Sequence, residues 1–407
     1  MHYHTIIVGA GPAGLFAAQA LGQHRKSVLV LERNKRAGRK LLVSGAGQCN
    51  FTHDGPIEHF LECYHNQAKF IKKALFSFTN KDTMRFFESL DVPYQVFPNQ
   101  KVFPKSMKSE DVLGALLKAC QKGNVQIEYG QTVGQISIYD GVYTIETEEG
   151  KRYFSDHVVI ATGGKSYAPL GSDGKGYEIA QSLGHTIITP RPALTDVRLR
   201  ENPYKPISGV SVQNAELTLW RQNKKLTQYV GDLLFTHKGI SGPVIINTSR
   251  WMEVGDQLTI NYLYPKTYEE VRKEFSESLA QRGKEEVITF LKPLKLPKTL
   301  LQVLCQQIGL DEHTSCAQVN KKMREDLVNI LTRCPFTIHQ LGGYHIAMVT
   351  AGGVHLKEVN PTTMESRKQK GLYFIGEVLD IDGITGGYNI QAAFSTAYLC
   401  AQHLIKC

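Results

Sequence analysis

Paired cysteines are absent from this sequence. Its eight cysteines (Cys49, Cys63, Cys120, Cys305, Cys316, Cys334, Cys400 and Cys407) include no CxxC and no spacing suited to zinc. That argues against a dithiol relay, a metal site and a disulfide-stapled secreted scaffold. Long apolar runs are also missing, and none approaches the roughly 20 residues that a membrane-spanning helix needs. The opening Met1-His2-Tyr3-His4 enters a buried-looking strand at once, without the basic region, apolar segment and small-residue cleavage site of a signal peptide. There is no internal repeat, low-complexity stretch, basic tail or recognisable nucleic-acid motif. A cytoplasmic enzyme with no membrane partner is the expectation.

What is present begins with charge. The 407 residues carry a formal net charge of +9, with Lys and Arg spread along the chain and mild concentrations at 33–40, 101–108 and 321–324. This reads as a solvated basic surface that also suits a cofactor pyrophosphate. It puts a small molecule among the expected partners and leaves nucleic acid outside them. A hydrophobic content of 42% and a charged content of 21% fit an ordinary globular chain of two or three domains.

The strongest local signal lies at the start. Thr5-Ile6-Ile7-Val8 is a short β-branched run, followed by Gly9-Ala10-Gly11-Pro12-Ala13-Gly14 and a helix-like stretch, 15–21. Ser27-Val28-Leu29-Val30-Leu31 is the next strand, and Glu32 closes it. A GxGxxG between strand and helix, with an acidic residue ending the second strand, is the dinucleotide-binding fingerprint. Gly9 permits the tight turn, Gly11 lets the backbone approach a pyrophosphate, and Gly14 allows helix and strand to pack closely. The helix start offers unpaired N–H groups to phosphate, and Glu32 suits the adenosine ribose hydroxyls.

The fingerprint alone serves FAD or NAD, and later segments favour FAD. Asp156-His157-Val158-Val159-Ile160 is a strand ending in Ala161-Thr162-Gly163-Gly164. Gly371-Leu372-Tyr373-Phe374-Ile375 is another buried strand, ending in Gly376-Glu377. Thr385-Gly386-Gly387-Tyr388-Asn389-Ile390-Gln391 leads into the helix-like 392–397. A glycine-led helix start there would aim its amides at the flavin pyrimidine oxygen, where negative charge grows on reduction. Gly171-Ser172-Asp173-Gly174-Lys175-Gly176 superficially suggests a second fingerprint but reads as a loop, so no dedicated nicotinamide domain is expected.

Several long motifs then resemble one family end to end. They are Gly38-Arg39-Lys40 running through Ser44-Gly45-Ala46-Gly47-Gln48-Cys49-Asn50, Ala161-Thr162-Gly163-Gly164-Lys165-Ser166-Tyr167, and Leu234-Phe235-Thr236-His237-Lys238-Gly239-Ile240-Ser241-Gly242-Pro243. Ala351-Gly352-Gly353-Val354, Thr363-Met364-Glu365-Ser366, Gly376-Glu377-Val378-Leu379-Asp380 and Gly386-Gly387-Tyr388-Asn389 complete the set. The chain is similar to the BaiN/YhiN-like (aminoacetone oxidase family) bacterial NAD(P)/FAD-dependent oxidoreductases. Gln48 stands where that family usually carries arginine. Beyond the fingerprint residues, the resemblance implies a cofactor set of Arg33, Arg39, Lys40, Ser44, Gly45, Gly47, Asn50, Val133, Ala161, Thr162, Gly163, Gly164, Gly376, Glu377, Asp380, Gly386, Gly387, Tyr388, Asn389 and Ile390.

The expected fold is α/β, a discontinuous Rossmann-type FAD-binding domain (two-dinucleotide flavoprotein-like) over 1–190 and 351–407. Between its parts, Ala215-Glu216-Leu217-Thr218-Leu219-Trp220 and Gln257-Leu258-Thr259-Ile260-Asn261-Tyr262 alternate like half-buried antiparallel strands. The stretch from Tyr268 to Ile330 reads as helical. The resemblance agrees, implying an inserted β-barrel over 191–265 and 337–350 with a helical insert over 266–336. Such an insert commonly caps a flavin ring and shapes a substrate pocket at the domain boundary.

The flavin carries the electron chemistry, so catalytic side chains are few. His237 suits proton transfer accompanying hydride transfer to or from flavin N5, or orders its own loop. Tyr388 and Asn389 orient substrate or line the ring. Cys49 reads as a packed structural thiol with the Asn50 amide close to the flavin. Tyr167 is a further candidate. The expectation is a small-molecule FAD oxidoreductase, either an amine or aminoketone oxidase or an enone reductase, with NAD(P)H as a possible transient electron donor. The alternatives are a flavin-dependent tRNA-modifying or RNA-binding protein and a redox sensor without turnover.

Overall fold

The computed structural model describes residues 2–311 and 313–407. The chain forms two compact units, 1–192 with 347–407, and 193–346.

In the first unit, the strand His2–Val8 lies parallel to Val28–Glu32 on one side and to Arg152–Ile160 on the other. Ile6, Ile7 and Val8 are buried, as are all five residues of Val28–Glu32. Continuous apolar runs of this kind belong to parallel strands covered on both faces. Gln126–Tyr129 extends the sheet beyond Val28–Glu32. On its far side, the long strand Arg152–Ile160 is shared. Its first half pairs antiparallel with Val142–Thr147, which in turn pairs with Val133–Tyr139. Its last residues pair in parallel with Leu372–Phe374, so the C-terminal segment completes the sheet that the N-terminus begins. The helix Pro12–Gln23 packs on the C-terminal helix Tyr388–Leu404 through Phe16 and Phe394, ring centroids 5.4 Å apart.

Two smaller sheets belong to the same unit. Thr52–His53, Lys101–Pro104 and Tyr94–Val96 form an antiparallel ladder, and Ile187–Ala193 neighbours Val349–Val354. The segment 171–176, expected as a loop, turns through Gly171 and Gly174 at positive φ and opens the helix Lys175–Ser182. The two glycines supply a turn that sets the helix direction, a role the sequence pattern shares with phosphate loops.

The second unit is built on a seven-stranded antiparallel sheet. Its order is Cys334–Thr337, Gln257–Asn261, Ser211–Arg221, Lys224–Thr236, Gly239–Ser241, Val197–Arg198, Gln340–Leu341. The ends of this order, Cys334–Thr337 and Gln340–Leu341, are two residues apart in the chain, and the Ile338 and His339 N–H groups between them donate to the Asp256 and Arg198 carbonyls at 3.0 and 3.1 Å, so the sheet curls back on itself as the expected barrel-like domain. Helices Tyr268–Gln281, Lys298–Gln307 and Lys321–Thr332 bury Val271, Phe275, Leu301 and Leu327 in one core with Leu258 and Ile260 of the sheet. The helical segment therefore shares the sheet's core and has no separate one.

Candidate active site

Each fingerprint glycine meets a different constraint. A Cβ on Gly9, at φ 107°, would lie 2.6 Å from the Ala161 carbonyl oxygen, and one on Gly14 would lie 2.0 Å from the Gly9 carbonyl oxygen. A Cβ on Gly11 would meet nothing within 4 Å. Gly11 also caps the helix Pro12–Gln23, which has no side-chain cap and no acidic residue in its first turn. Open space in front of unpaired helix N–H groups is what an anionic pyrophosphate requires.

Glu32 is buried. Its Oε2 accepts the Ala10 N–H at 2.8 Å, and its Oε1 accepts the Asn34 N–H at 2.8 Å and the Asn34 Nδ2 at 2.7 Å. Arg39 Nη1 donates to Asn34 Oδ1 at 2.9 Å. The carboxylate is thus fixed beside the glycine turn with lone pairs left for ribose hydroxyls. Arg33 pairs with Asp173 instead of standing free.

From Ser44 the chain makes a compact loop with Gly45, Ala46, Gly47 and Cys49 all at positive φ. Left-handed Ala46 and Cys49 carry backbone strain. Ser44 Oγ donates to the Leu41 carbonyl at 2.7 Å, and the Ser44 carbonyl accepts the Cys49 N–H at 2.9 Å. Cys49 is fully buried, and burial pushes its thiol up to about 12, so it is a packing group. Gln48 is exposed. Asn50 Oδ1 is buried without a hydrogen-bond partner, as is Thr162 Oγ1 of the Ala161–Gly164 turn.

Lys40 Nζ reaches both oxygens of Glu377, at 3.0 and 2.7 Å, with both side chains mostly buried. Glu377 Oε1 also accepts the Thr350 N–H at 2.9 Å, while Thr350 Oγ1 accepts the N–H groups of Lys165 and Ser166 at 2.8 and 3.0 Å. A Cβ on Gly164 would strike Thr350 Oγ1 at 2.6 Å and Glu377 Oε1 at 3.0 Å. The Glu377 carboxylate, a member of the implied cofactor set, is thereby engaged by the Lys40 ammonium and the Thr350 N–H.

The C-terminal helix begins at Gly386 (φ 132°) and Gly387 (φ 91°), and a Cβ on Gly387 would lie 2.6 Å from the Thr52 carbonyl oxygen. Tyr388 is 8% exposed, and His53 stacks on its ring at 5.1 Å and 24°. Phe60 meets the ring edge-on at 5.0 Å, and Tyr64 Oη donates to the Tyr388 carbonyl at 2.7 Å. Asn389 braces the turn, donating from Nδ2 to the Gly383 carbonyl at 2.9 Å and accepting the Gly383 N–H at 2.8 Å. Asp380 Oδ1 accepts the Gly352 N–H at 3.1 Å.

Ile390 is half-buried in the helix's first turn, Val133 is buried at the start of its strand, and Tyr167 is half-buried with φ 60°. His237 lies in the second unit, exposed at the turn between Lys224–Thr236 and Gly239–Ser241. His53, Thr350 and Gln391 were not singled out by the sequence. Gln391 is fully buried and accepts from the hydroxyls of Thr52 at 2.6 Å and Thr83 at 2.8 Å, tying the helix start to the strand Thr52–His53. Its one legible signal was a glutamine in an otherwise apolar helical run.

The residues fit an FAD. The Gly11 opening, the fixed Glu32 carboxylate and the partnerless Asn50 Oδ1 supply a phosphate cradle, a ribose acceptor and a polar atom awaiting a partner. Among the described residues no group of His, Cys, Asp and Glu could hold a metal ion, and no helix is long and apolar enough to cross a membrane.

Comparison with known proteins points the same way. The family described as HI0933-like protein Rossmann domain matches residues 3–403. The ribosomal RNA dihydrouridine synthase of Haemophilus influenzae is 34% identical over 98% of this chain and 97% of its own length. Its Escherichia coli namesake is 32% identical over 99% and 98%. The 3-dehydro-bile acid delta(4,6)-reductase of Clostridium scindens is 31% identical over 97% of each chain. Among solved structures, a 3-ketosteroid-delta4-(5alpha)-dehydrogenase from Rhodococcus jostii shares the fold. It matches with a TM-score of 0.50 at 14% identity, covering 100% of this chain and 97% of that one.

Proposed function

Because this chain belongs to the HI0933-like family of Rossmann-type FAD-dependent oxidoreductases, we propose that it reduces a carbon–carbon double bond conjugated to a carbonyl, with a uracil base in RNA as the substrate. The observation that carries this reading is a shared bond. Dihydrouridine is uridine saturated at C5–C6, next to the C4 carbonyl, and a delta(4,6)-reductase of a 3-oxo compound works on an enone. In each, the carbon β to the carbonyl takes a hydride and the α-carbon takes a proton. FAD, when bound, supplies the hydride, with NAD(P)H as the candidate electron source.

The chain's own residues have binding and proton-handling roles. Gly11 and the start of Pro12–Gln23 hold the pyrophosphate and Glu32 the ribose, while the other residues of the implied cofactor set line the rest of the chain-like ligand. Asn50 orients the substrate or flavin edge. The phenol of Tyr388 delivers the proton to the α-carbon, and His237 is the second candidate for that step. Two relatives named for ribosomal RNA favour the RNA substrate over a small molecule, and they remove the support for leaving nucleic acid outside the partners. A small 3-oxo enone is the second reading, favoured by the bile acid reductase.

The test offers NADH, NADPH and aminoacetone separately to the anaerobic yellow protein, then supplies unmodified ribosomal RNA transcript or a 3-oxo-4,6-diene steroid acid. Bleaching by a nicotinamide, followed by dihydrouridine in the RNA digest, is the expected result. Bleaching by aminoacetone alone, with neither double bond saturated, overturns the reading. Tyr388→Phe slows saturation more than flavin reduction; an equal effect on both removes Tyr388 from proton delivery.

A further inference from the structure

The positive charge is less evenly distributed than a glance along the chain suggests. Residues 33–122 hold fifteen Lys and Arg against eight Asp and Glu, a net +7 within a chain of +9. Within this segment, the hairpin of Tyr94–Val96 and Lys101–Pro104 projects from the strand Thr52–His53. The Phe97 N–H donates to the Lys101 carbonyl at 3.0 Å, so these residues are cross-strand partners at its tip. The Phe97 and Phe103 rings meet edge to face at 5.2 Å and 71°.

Phe103 also abuts the strained loop, where a Cβ on Gly45 would lie 3.3 Å from the Phe103 ring and 3.0 Å from the Asn50 nitrogen. An aromatic pair therefore runs from the surface, where Phe97 is 37% exposed, to the loop that presents Asn50. Val43 and Val96 are exposed as well. Lys101, Lys105 and Lys108 make no ion pair among the described residues. The acidic groups nearby are Asp54, paired with Lys81, Asp82, paired with Arg85, and the exposed Glu88, Asp91, Glu110 and Asp111. Beside the hairpin, Gln100, Pro56, Ile57, Thr79 and Lys81 line a concavity of about 490 Å³.

An exposed ring backed by a half-buried one, with unpaired lysines close by, matches the chemistry of a single nucleic-acid strand. Every base offers a π-face to an aromatic ring, and every phosphate offers a charge to an ammonium. Resting on the reading of RNA as substrate, we propose that the hairpin Tyr94–Pro104 and the lysines following it dock a single-stranded stretch of RNA. A base stacks on the Phe97–Phe103 pair and phosphates lie on Lys101, Lys105 and Lys108, which leads the strand to the loop 44–50.

The experiment uses the flavin-loaded enzyme and a fluorescein-labelled unmodified RNA of about 20 nucleotides, with anisotropy read across a KCl series. Phe97→Ala weakens binding about tenfold, and Phe97→Tyr restores it. Joint Lys101→Glu, Lys105→Glu and Lys108→Glu weakens binding at least about 100-fold and lowers the slope of log K against log salt by about 2. Flavin content and the rate of flavin reduction by nicotinamide stay unchanged, which reports an intact fold. If all variants bind RNA like the parent while the parent still forms dihydrouridine, the docking surface is overturned and the proposed function stands. If the parent binds no RNA and saturates only the steroid enone, the RNA reading and the docking surface both fall. Loss of adsorption to anionic phospholipid vesicles in Phe97→Ala, with RNA binding intact, would assign the hairpin to a lipid surface and overturn the proposal.

Discussion

Gly11 and Gly14 are three positions apart, and an added side chain has opposite meanings at each. At Gly14 an added methyl collides with the Gly9 carbonyl oxygen, 2.0 Å away, so Gly14→Ala lowers thermal stability and flavin content together. At Gly11 the space is open, so Gly11→Leu leaves the melting temperature of the flavin-free protein within about 2 °C, since surface changes cost little, yet yields colourless protein. Stoichiometric flavin in Gly11→Leu would contradict the cofactor placement. Cysteine reactivity follows burial in the same way. All the cysteines are buried except Cys407, and the Cys49 thiol is raised to about 12. Iodoacetamide should therefore label only Cys407 in the native protein, as mass spectrometry would show, and all eight in urea. At this scale the sequence was legible wherever a requirement was local. The glycine turn and Glu32 could be read because tight turns and close approach restrict residue choice within a few positions. The pairing of Lys40 with Glu377, the bracing by Thr350 and the stacking of His53 on Tyr388 could not, because each depends on segments brought together only by the folded sheet.

Among the elements, the link between the helix Lys175–Ser182 and the C-terminal segment has a pH signature. Burial alone would raise the Glu358 carboxyl. The Lys368 ammonium at 2.6 Å and the N–H and hydroxyl of Thr186, each at 2.8 Å, outweigh it and hold the group down at about 2. Buried His185 lies 3.3 Å from the same carboxylate, its own basicity lowered chiefly by burial. A depressed carboxyl stabilises the fold above its ordinary value and loses that contribution as pH falls towards the folded-state value. Glu358→Gln should cost about 1–2 kcal/mol at neutral pH after discounting for solvent. The gap in melting temperature from the parent should close between about pH 4.5 and 2; a gap that persists unchanged at pH 2 would refute the assignment. The buried apolar strands were the easiest elements to read, since a run such as Ile6-Ile7-Val8 has few other homes. The ladder of Thr52–His53 with the hairpin Tyr94–Pro104 escaped notice because two- to four-residue strands leave too little periodicity to register.

For the whole molecule, the two units have separate cores, and the strands that flank the insertion, Ile187–Ala193 and Val349–Val354, are hydrogen-bonded neighbours. Excising 193–346 and joining the ends through a short Gly-Ser linker should give a folded protein that binds FAD stoichiometrically and does not saturate the substrate. Failure of that shortened chain to bind flavin would show that the insertion is needed for folding. The alternation of apolar and polar residues announced the antiparallel sheet of the insertion, but not whether its path closes, because closure is decided by the two short strands Val197–Arg198 and Gln340–Leu341. The position of Leu372–Phe374, the outermost of the parallel strands in space and the last strand in the chain, has a consequence for biosynthesis. The central sheet cannot be completed, nor the Gly386–Gly387 helix start laid beside Thr52, until the final stretch has left the ribosome. Flavin capture is therefore a post-translational event, and nascent chains stalled before Leu372 should emerge colourless however long they wait.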